Sequence, residues 1–569
     1  MTIYTAGFPA EYGRKMGGVV ELNTLQDPQP GFHGQVVLSG GSYDSGAAFG
    51  RGQYSWGKNT IGGSADGAMT DHYLNPVVPQ NYSNTGTIGD FAVNYARTLT
   101  ATDKVKFTLR QEIARYDIPN ELVQQAAGQR QNADNFETMG TIAYDHIFSP
   151  ISIADVHGML RENSNDFYSN PQSTPIEIFQ RNWFREGYFR AAVTIDRGHN
   201  EWKAGVESDS LFLNEKLNYF ITDPFQFSPG SPLFFNYQAN RPDLEQSVYV
   251  QDLVHFTNWT VNAGLRWDHY QLLLNRQALQ PRLAISHYIP AAATVIHFSY
   301  DRVFQTPSFE NILLTSSPAV KSIDPTGFLR LPVQPSVGDY YEAGLARVFF
   351  SHLKMETNYF RRFVNNYADD SQIENTTISF PIAFRKSIIY GGEVKLDVTN
   401  WHNFSGFASY SYIVGNAWLP VTGGLFFGQD AQQAAAQLSG HFPDSQDQRN
   451  TLRGRVRYQF TPRYWAGFGV QFDSGLPFDF DGDPATALAQ YGQQVFNRLN
   501  FVRGRIYPAF QANASFGASL HRSDRYDLHI QADGQNLNNV LNVIDFGGLF
   551  SGNAIGPARS FTVRLAADF

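Results

Sequence analysis

Phe510-Gln511-Ala512-Asn513-Ala514-Ser515-Phe516-Gly517-Ala518-Ser519-Leu520-His521, a turn at Arg522–Arg525, then Tyr526-Asp527-Leu528-His529-Ile530-Gln531-Ala532-Asp533: this stretch decides the fold. Apolar and polar residues alternate through both arms. Period-2 alternation sends the apolar side chains to one sheet face and the polar ones to the other. A strand of a soluble sandwich sustains this over about five or six residues. Longer arms, one after another, point to a sheet with lipid against one face and water against the other. The last residues repeat the pattern: Phe561, Val563, Leu565, Ala567 and Phe569 alternate with Thr562, Arg564, Ala566 and Asp568.

A chain of 569 residues would ordinarily hold several soluble domains, but no Ser/Pro run, charge block or low-complexity tract divides it. No apolar run reaches the ~18 residues of a spanning helix, so helical insertion is excluded. A membrane barrel is not, because half of each strand faces water. Aromatics make up 15% of the chain, which a soluble core would also explain. Their placement favours a barrel: Tyr458, Phe460, Tyr464, Trp465 and Trp259 stand at strand ends beside turns, where interfacial girdles form. There is no cysteine, so neither disulfides nor thiolate chemistry contribute. The net charge of −9 comes without a basic stripe, which argues against nucleic acid as a partner.

Tight connections recur at Trp56–Asn59, Thr100–Asp103, Ser149–Pro150, Asp196–Asn200, Phe256–Asn258, Tyr288–Pro290, Phe350–His352, Asn400–Asn403, Thr461–Arg463 and Arg522–Arg525. Each contains residues that tolerate turn geometry. Between them lie mostly long connections, near 71–87, 117–134, 167–183, 217–242, 304–337, 369–382, 415–446, 476–507 and 539–557. Two are short, near Ser42–Asp44 and Asn275–Leu279. The expected fold is therefore all-β: a transmembrane antiparallel barrel of about 22 strands, with short periplasmic turns and long extracellular loops. The closing strand, Phe561–Phe569, should pair with the first, near His33–Ser42. A barrel this wide has a lumen that natural proteins plug. Arg453, Arg455 and Arg457 share one strand face, and Thr260, Asn262, Arg266 and Asp268 another. The four arginines are candidates for lining the lumen, either as solvated walls or as contacts for a plug or a passing ligand.

The first segment, Ala10-Glu11-Tyr12-Gly13-Arg14-Lys15-Met16-Gly17-Gly18-Val19-Val20-Glu21-Leu22-Asn23-Thr24, resembles the end of the plug domain of TonB-dependent outer-membrane receptors. Gly17-Gly18 permits close backbone approach, and Val19 to Thr24 reads as a buried strand seeking a sheet. Arg302-Val303-Phe304-Gln305-Thr306-Pro307-Ser308-Phe309-Glu310 is similar to a mid-barrel element of that family, and Asp533-Gly534-Gln535-Asn536-Leu537-Asn538-Asn539 to its penultimate-strand signature. Pro557-Ala558-Arg559-Ser560-Phe561 and the terminal Phe569 resemble the closing strand, which implies that Phe561, Val563, Leu565 and Phe569 are read by the barrel-assembly machinery. The resemblance implies residues 1–30 as a plug remnant, with Glu11, Tyr12, Gly13, Gly17 and Gly18 its motif, and 31–569 as the barrel. In that family a complete plug with a TonB-binding box precedes the barrel. Here only its last strand matches, and no charged segment with an apolar signal region follows Met1. The expectation is a sequence that lacks its own beginning but is complete at its C-terminus.

Other chemistry is thin. Asp479-Phe480-Asp481-Gly482-Asp483-Pro484 places acids at alternate positions, but Pro484 stands where a calcium loop of the EF-hand type needs Gly, and Gln490 where it needs Glu. An acidic solvated turn is the plainer reading. His199, His352 and His402 fall in turns, and no zinc, phosphate-loop or nucleophile-elbow spacing occurs. Phe225, Phe227, Phe234, Phe235, Asn236 and Tyr237 in one loop, and Trp418, Phe426, Phe427, Gln429 and Asp430 in another, suit sugar rings or aromatic chelators, or simply loops packing on each other. Gln432 to Leu438 could form one or two helical turns.

The resemblance implies TonB-dependent active uptake of a scarce, bulky ligand of siderophore, vitamin or oligosaccharide type across the outer membrane. It implies no catalytic residue, no cofactor and no bound metal. The partners implied are outer-membrane lipid, the assembly machinery, and the TonB complex only with a complete plug. The alternative is a passive outer-membrane pore or surface-binding barrel lacking its own plug. The sequence leaves the ligand and its contact residues unknown.

Overall fold

The computed structural model describes residues 2–569 apart from 15, 22–29, 228, 324–331, 374–375, 426–436, 438, 479–483, 524 and 547–551. Twenty-two antiparallel strands close into one barrel, each beside its neighbour in sequence. Closure comes where the last strand, Ser560–Asp568, pairs with the first, Gly31–Gly41, in a register running from Thr562↔Gly41 to Asp568↔Gln35. A short strand, His441–Pro443, extends the sheet beside the upper part of Phe404–Gly423.

Alternation explains the two faces. Phe561, Val563, Leu565 and Phe569 are 37% to 55% exposed on the outer surface, a row that only lipid solvates well. At the chain's end, Phe569 exchanges backbone hydrogen bonds with Gly34 at 2.6 and 3.0 Å, and its ring meets Phe32 at 5.7 Å.

The tight turns fall where turn chemistry puts them. At Asn400–Asn403, for example, Asn400, His402 and Asn403 take φ of 43°, 49° and 67°, which Asn tolerates. Two expectations need correction. The short connection expected at Asn275–Leu279 is Leu272-Leu273-Leu274, between the strands Trp259–Gln271 and Asn275–Ile289. Leu272 packs with Phe184, Ile312 and Leu313, so an apolar turn is held by burial rather than by turn residues. Trp465 does not join the outer girdle. Its neighbour Tyr464 takes the lipid-facing position, and parity turns Trp465 into the lumen, with the Arg457 guanidinium 4.3 Å from its ring.

The wall is uneven in height. Strands beside the seam run to 9 or 11 residues, whereas Phe234–Phe256 and Ser379–Trp401 run to 23. Crossing a bilayer takes about 9–11 tilted residues, so the far wall rises well beyond the membrane at its extracellular end. Loops pack over that mouth in two apolar cores. One joins Ile118, Phe167, Ile178, Leu217, Tyr219 and Phe380; the other joins Val78, Tyr491, Val495, Phe546 and Ile555. The Tyr491 hydroxyl donates to Glu121 Oε1 at 3.0 Å, three residues along the chain from Ile118 of the first core.

Of the aromatic loop residues, Phe227, Phe235 and Tyr237 pack into the first core while Phe225 and Phe234 stay exposed. Trp418 lies on the outer wall against His441 at 5.5 Å. Phe426, Phe427, Gln429, Asp430, the acidic run 479–483 and, except Gln437, the segment Gln432–Leu438 lie outside the described residues. The helix of this region is Pro484–Phe496, kinked where Gly492 takes φ 77°.

The seam allows a direct check. A Cβ at Gly41 would overlap the Phe561 carbonyl, a backbone atom that cannot swing away. Gly41→Val should therefore destabilise closure by about 1–3 kcal/mol, read as a lower temperature for loss of the compact barrel band on semi-native gels, with Gly50→Val, which meets open space on the next strand, as comparison.

Candidate functional site in the barrel lumen

Residues 2–14 and 16–21 lie inside the barrel. Thr2–Tyr4 and Val19–Glu21 form a small antiparallel pair, and the segment between them is held by wall residues from eight successive strands. Turn chemistry at Pro9 starts this, with the Tyr12 N–H donating to the Pro9 carbonyl at 3.1 Å. The turn aims several carbonyls at the wall. Arg266, fully buried, donates to the Glu11 carbonyl at 3.1 Å, and Arg282 donates to the carbonyls of Pro9 at 2.7 Å and Tyr12.

Arg266 is itself neutralised by Glu207 at 2.6 Å and Asp268 at 2.9 Å. Asp268 in turn accepts from Ser247 and Gln280. A buried guanidinium is tolerable only with such complete pairing. Gly13 is where the fit is tightest, because a Cβ there would overlap the Arg266 guanidinium. Gly17 has open space around it, and Gly18, at φ 147°, would bring a Cβ to 3.0 Å from the Tyr4 carbonyl. Among the described residues, the Val19–Glu21 strand pairs only with Thr2–Tyr4, and Val20 is exposed.

Side-chain charge completes the hold. The Glu11 carboxylate lies 2.7 Å from Arg190 and also meets Lys203. Arg14 reaches Asp209 at 3.1 Å and Glu245. Asp301 accepts from the Gly7 N–H at 2.7 Å, and the Tyr340 hydroxyl donates to the Met16 carbonyl at 3.0 Å. Tyr12 packs on Tyr4 with rings 5.6 Å apart.

Arg453, Arg455 and Arg457 face the lumen on Asn450–Gln459, three strands beyond the last of those that hold the segment. Arg453 pairs with Asp473 at 2.7 Å, and Arg457 donates to Gln459 at 3.0 Å. Arg457 also lines a cavity of about 570 Å³ with Arg463, Trp465, Arg522, Asp527 and Arg564. A neighbouring cavity of about 630 Å³ is lined by His33, Arg51, Lys106, Tyr526, Asp568 and Phe569.

Above the N-terminal segment, residues 306–323 fold down into the mouth. Their short helix Ile312–Thr315 is wholly buried. Glu215 accepts from the Leu313 and Leu314 N–H groups at 2.9 Å each, satisfying donors that a helix start leaves unpaired. Asn311 donates to the Ser379 carbonyl at 2.8 Å, and Ser379 donates to Glu310 at 3.1 Å. No local signal marks Glu215 or Asn311 as anchors; their partners lie 68 to 131 residues away along the chain.

A family model described as the TonB-dependent receptor-like β-barrel matches residues 36–540. The chain belongs to that family. The receptor is accordingly an outer-membrane protein of the Gram-negative type. A search among curated protein sequences finds no match. Among solved structures, the ferric citrate transporter FecA superposes with a TM-score of 0.72 at 14% identity, covering 99% of this chain and 82% of its own. The copper transporter OprC gives 0.71 at 12% identity, covering 100% and 85%. The ferric yersiniabactin uptake receptor FyuA from Yersinia pestis gives 0.68 at 11%, covering 96% and 81%. At such identities the likeness concerns the fold.

Two measurements follow from this geometry. Arg266→Met leaves Glu207 and Asp268 buried without their cation, a loss of about 3–5 kcal/mol. Proteolysis within residues 9–14 from the lumen should then accelerate, and Gly13→Ala should do the same with the charges intact. In the mouth, burial pushes the Glu310 carboxyl up to about 7, with Asp370 adding to the rise. The packed loop favours the protonated acid, so its stability is full below the ordinary carboxyl pKa and is lost as pH rises through about 7. Amide exchange at Thr315 and Ser316, corrected for intrinsic rate, should quicken between about pH 5 and about pH 8, and Glu310→Gln should flatten that dependence.

Proposed function

We propose that the receptor imports a scarce, bulky ligand of siderophore, vitamin or oligosaccharide type across the outer membrane, using energy delivered through TonB. Residues 1–30 are read as the last part of the plug domain and 31–569 as the barrel that houses it. The observation that carries the reading is the lumen clamp: a segment of turn and loop is held to the wall by buried but ionic contacts. Arg266, Arg282, Glu11 and Arg14 act through hydrogen bonds and charge pairs, which water can replace one by one as a segment moves. An apolar interface of the same size has no such substitute. The loop over Ile312–Thr315 and the apolar cores of the mouth would then close the outer side while the segment shifts. The chain makes and breaks no covalent bond in this scheme.

The test uses the protein expressed from its complete native gene and a panel of ferric siderophores, cobalamin and maltooligosaccharides. At least one should accumulate in cells with TonB and fail to accumulate without it. A lock then probes the segment. An ideal Cβ at Gly7 lies 3.6 Å from the Ala284 Cβ, a separation that a disulfide spans. Cysteine at both positions, with no other cysteine in residues 1–569, should abolish accumulation under oxidising conditions and restore it on reduction. Entry of all solutes at equal rates with or without TonB would instead establish a passive pore.

A further inference from the structure

On the outer wall, four strands carry an aromatic surface with a gap in it. Across Ser336–Phe349, Leu353–Gln372, Ser379–Trp401 and Phe404–Gly423, one outward row reads Ala343, Tyr359, Gly392, Tyr412. Gly392 supplies no side chain between two tyrosines, and a Cβ there would meet only the Asn358 carbonyl at 3.6 Å. The result is an apolar groove of about 700 Å³, walled by the exposed rings of Tyr359, Tyr390, Tyr410 and Tyr412.

The next row towards the extracellular end carries Arg361 on the same lipid-facing side, paired with Tyr341 and Tyr390. Its guanidinium lies 4.8 Å from the centre of the Phe363 ring, two residues further up the strand, and 5.9 Å from that of Tyr390. The side chain thus leans outward along the wall to place its charge near the membrane boundary. Two further cations stand above it on that face. Arg302 lies 3.4 Å from Asp339, and Lys386 sits 4.8 Å from the Trp418 ring. Among the described residues, neither Arg361 nor Lys386 meets a carboxylate.

We propose that this groove and its cationic rim bind a phosphate-bearing glycolipid of the outer leaflet, an acyl chain lying between the tyrosines and the phosphate against Arg361. A cation facing lipid is costly unless an anion neutralises it. A guanidinium matches a phosphate with two parallel hydrogen bonds. Three cations against one carboxylate leave this rim positive, and its height fits the outer leaflet, because the Phe350–His352 turn marks the opposite end of the same hairpin. The proposal depends on the outer-membrane setting and not on what the lumen transports.

The purified protein, reconstituted in phosphatidylcholine nanodiscs containing lipid A, provides the test, with native mass spectrometry counting retained lipid. Phosphorylated lipid A should be retained, and its dephosphorylated form should bind at least about tenfold more weakly, as expected for loss of a charge-assisted hydrogen-bond pair. Arg361→Gln should cause a similar loss, Lys386→Gln a smaller one, and Gly392→Leu should weaken retention by filling the groove. Heat-dependent gel migration identifies folded variants. Equal retention of the two lipid forms, or unchanged retention by folded Arg361→Gln, would overturn the proposal.

Discussion

Lipid offers no hydrogen-bond partner, and that single constraint organises the molecule. Every backbone N–H and C=O within the bilayer must be paired inside the sheet, so the sheet has to close on itself. The seam between Ser560–Asp568 and Gly31–Gly41 is where the condition is met last, joining strands more than five hundred residues apart. Glycine on the first strand is part of this. Gly34 and Gly41 let the closing strand's Phe569 ring and Phe561 carbonyl approach the wall closely. The apolar alternation of the terminal strand serves the same condition from outside, because it gives the closed sheet a face that lipid accepts.

Closure with 22 strands creates a second problem, a lumen too wide for side chains alone to fill. Three structures address it. The N-terminal segment lies against eight of the 22 strands, residues 306–323 descend from above, and the loops knit two apolar cores over the mouth. The fillings differ in chemistry. The loops bury leucine, isoleucine and phenylalanine, whereas the segment adds to a small apolar contact of Phe8 with Val303 and Tyr340 a hold by arginine, glutamate and aspartate.

Legibility from sequence follows the range of each interaction. The hairpin turns are written locally in Asn, Asp, Gly and Pro, and the seam is written in period-2 alternation, so both can be read. Leu272-Leu273-Leu274 could not be read as a turn, because burial against Phe184 and Ile312 holds it and neither residue is near in sequence. Trp465 misled because aromatic type and strand-end position match a girdle, while facing depends on a parity set by Tyr464. Arg266 stood out as an inward cation, but its partner Glu11 lies 255 residues away. Nothing in either local sequence announces that Gly13 must be glycine because Arg266 needs the space. The pairing of Glu215 with the Leu313 and Leu314 amides was invisible for the same reason.

The contrast between the ionic hold on the segment and the apolar hold among the loops bears on how the barrel could move anything. Apolar packing is stiff at short range: separating two faces by the width of a methyl group forfeits much of the contact, and water gains nothing in return. A guanidinium leaving a carbonyl can be met at once by water, and Glu207 and Asp268 keep Arg266 paired on the wall when the Glu11 carbonyl departs. Arg266 therefore stays satisfied whether or not the segment is in place. Other wall charges depend on the segment itself: Arg190 and Lys203 lose Glu11, and Asp209 and Glu245 lose Arg14, if the segment withdraws. That asymmetry makes the segment's return favourable and its departure locally costly, so a clamp of this composition can be opened by work and closes again without it.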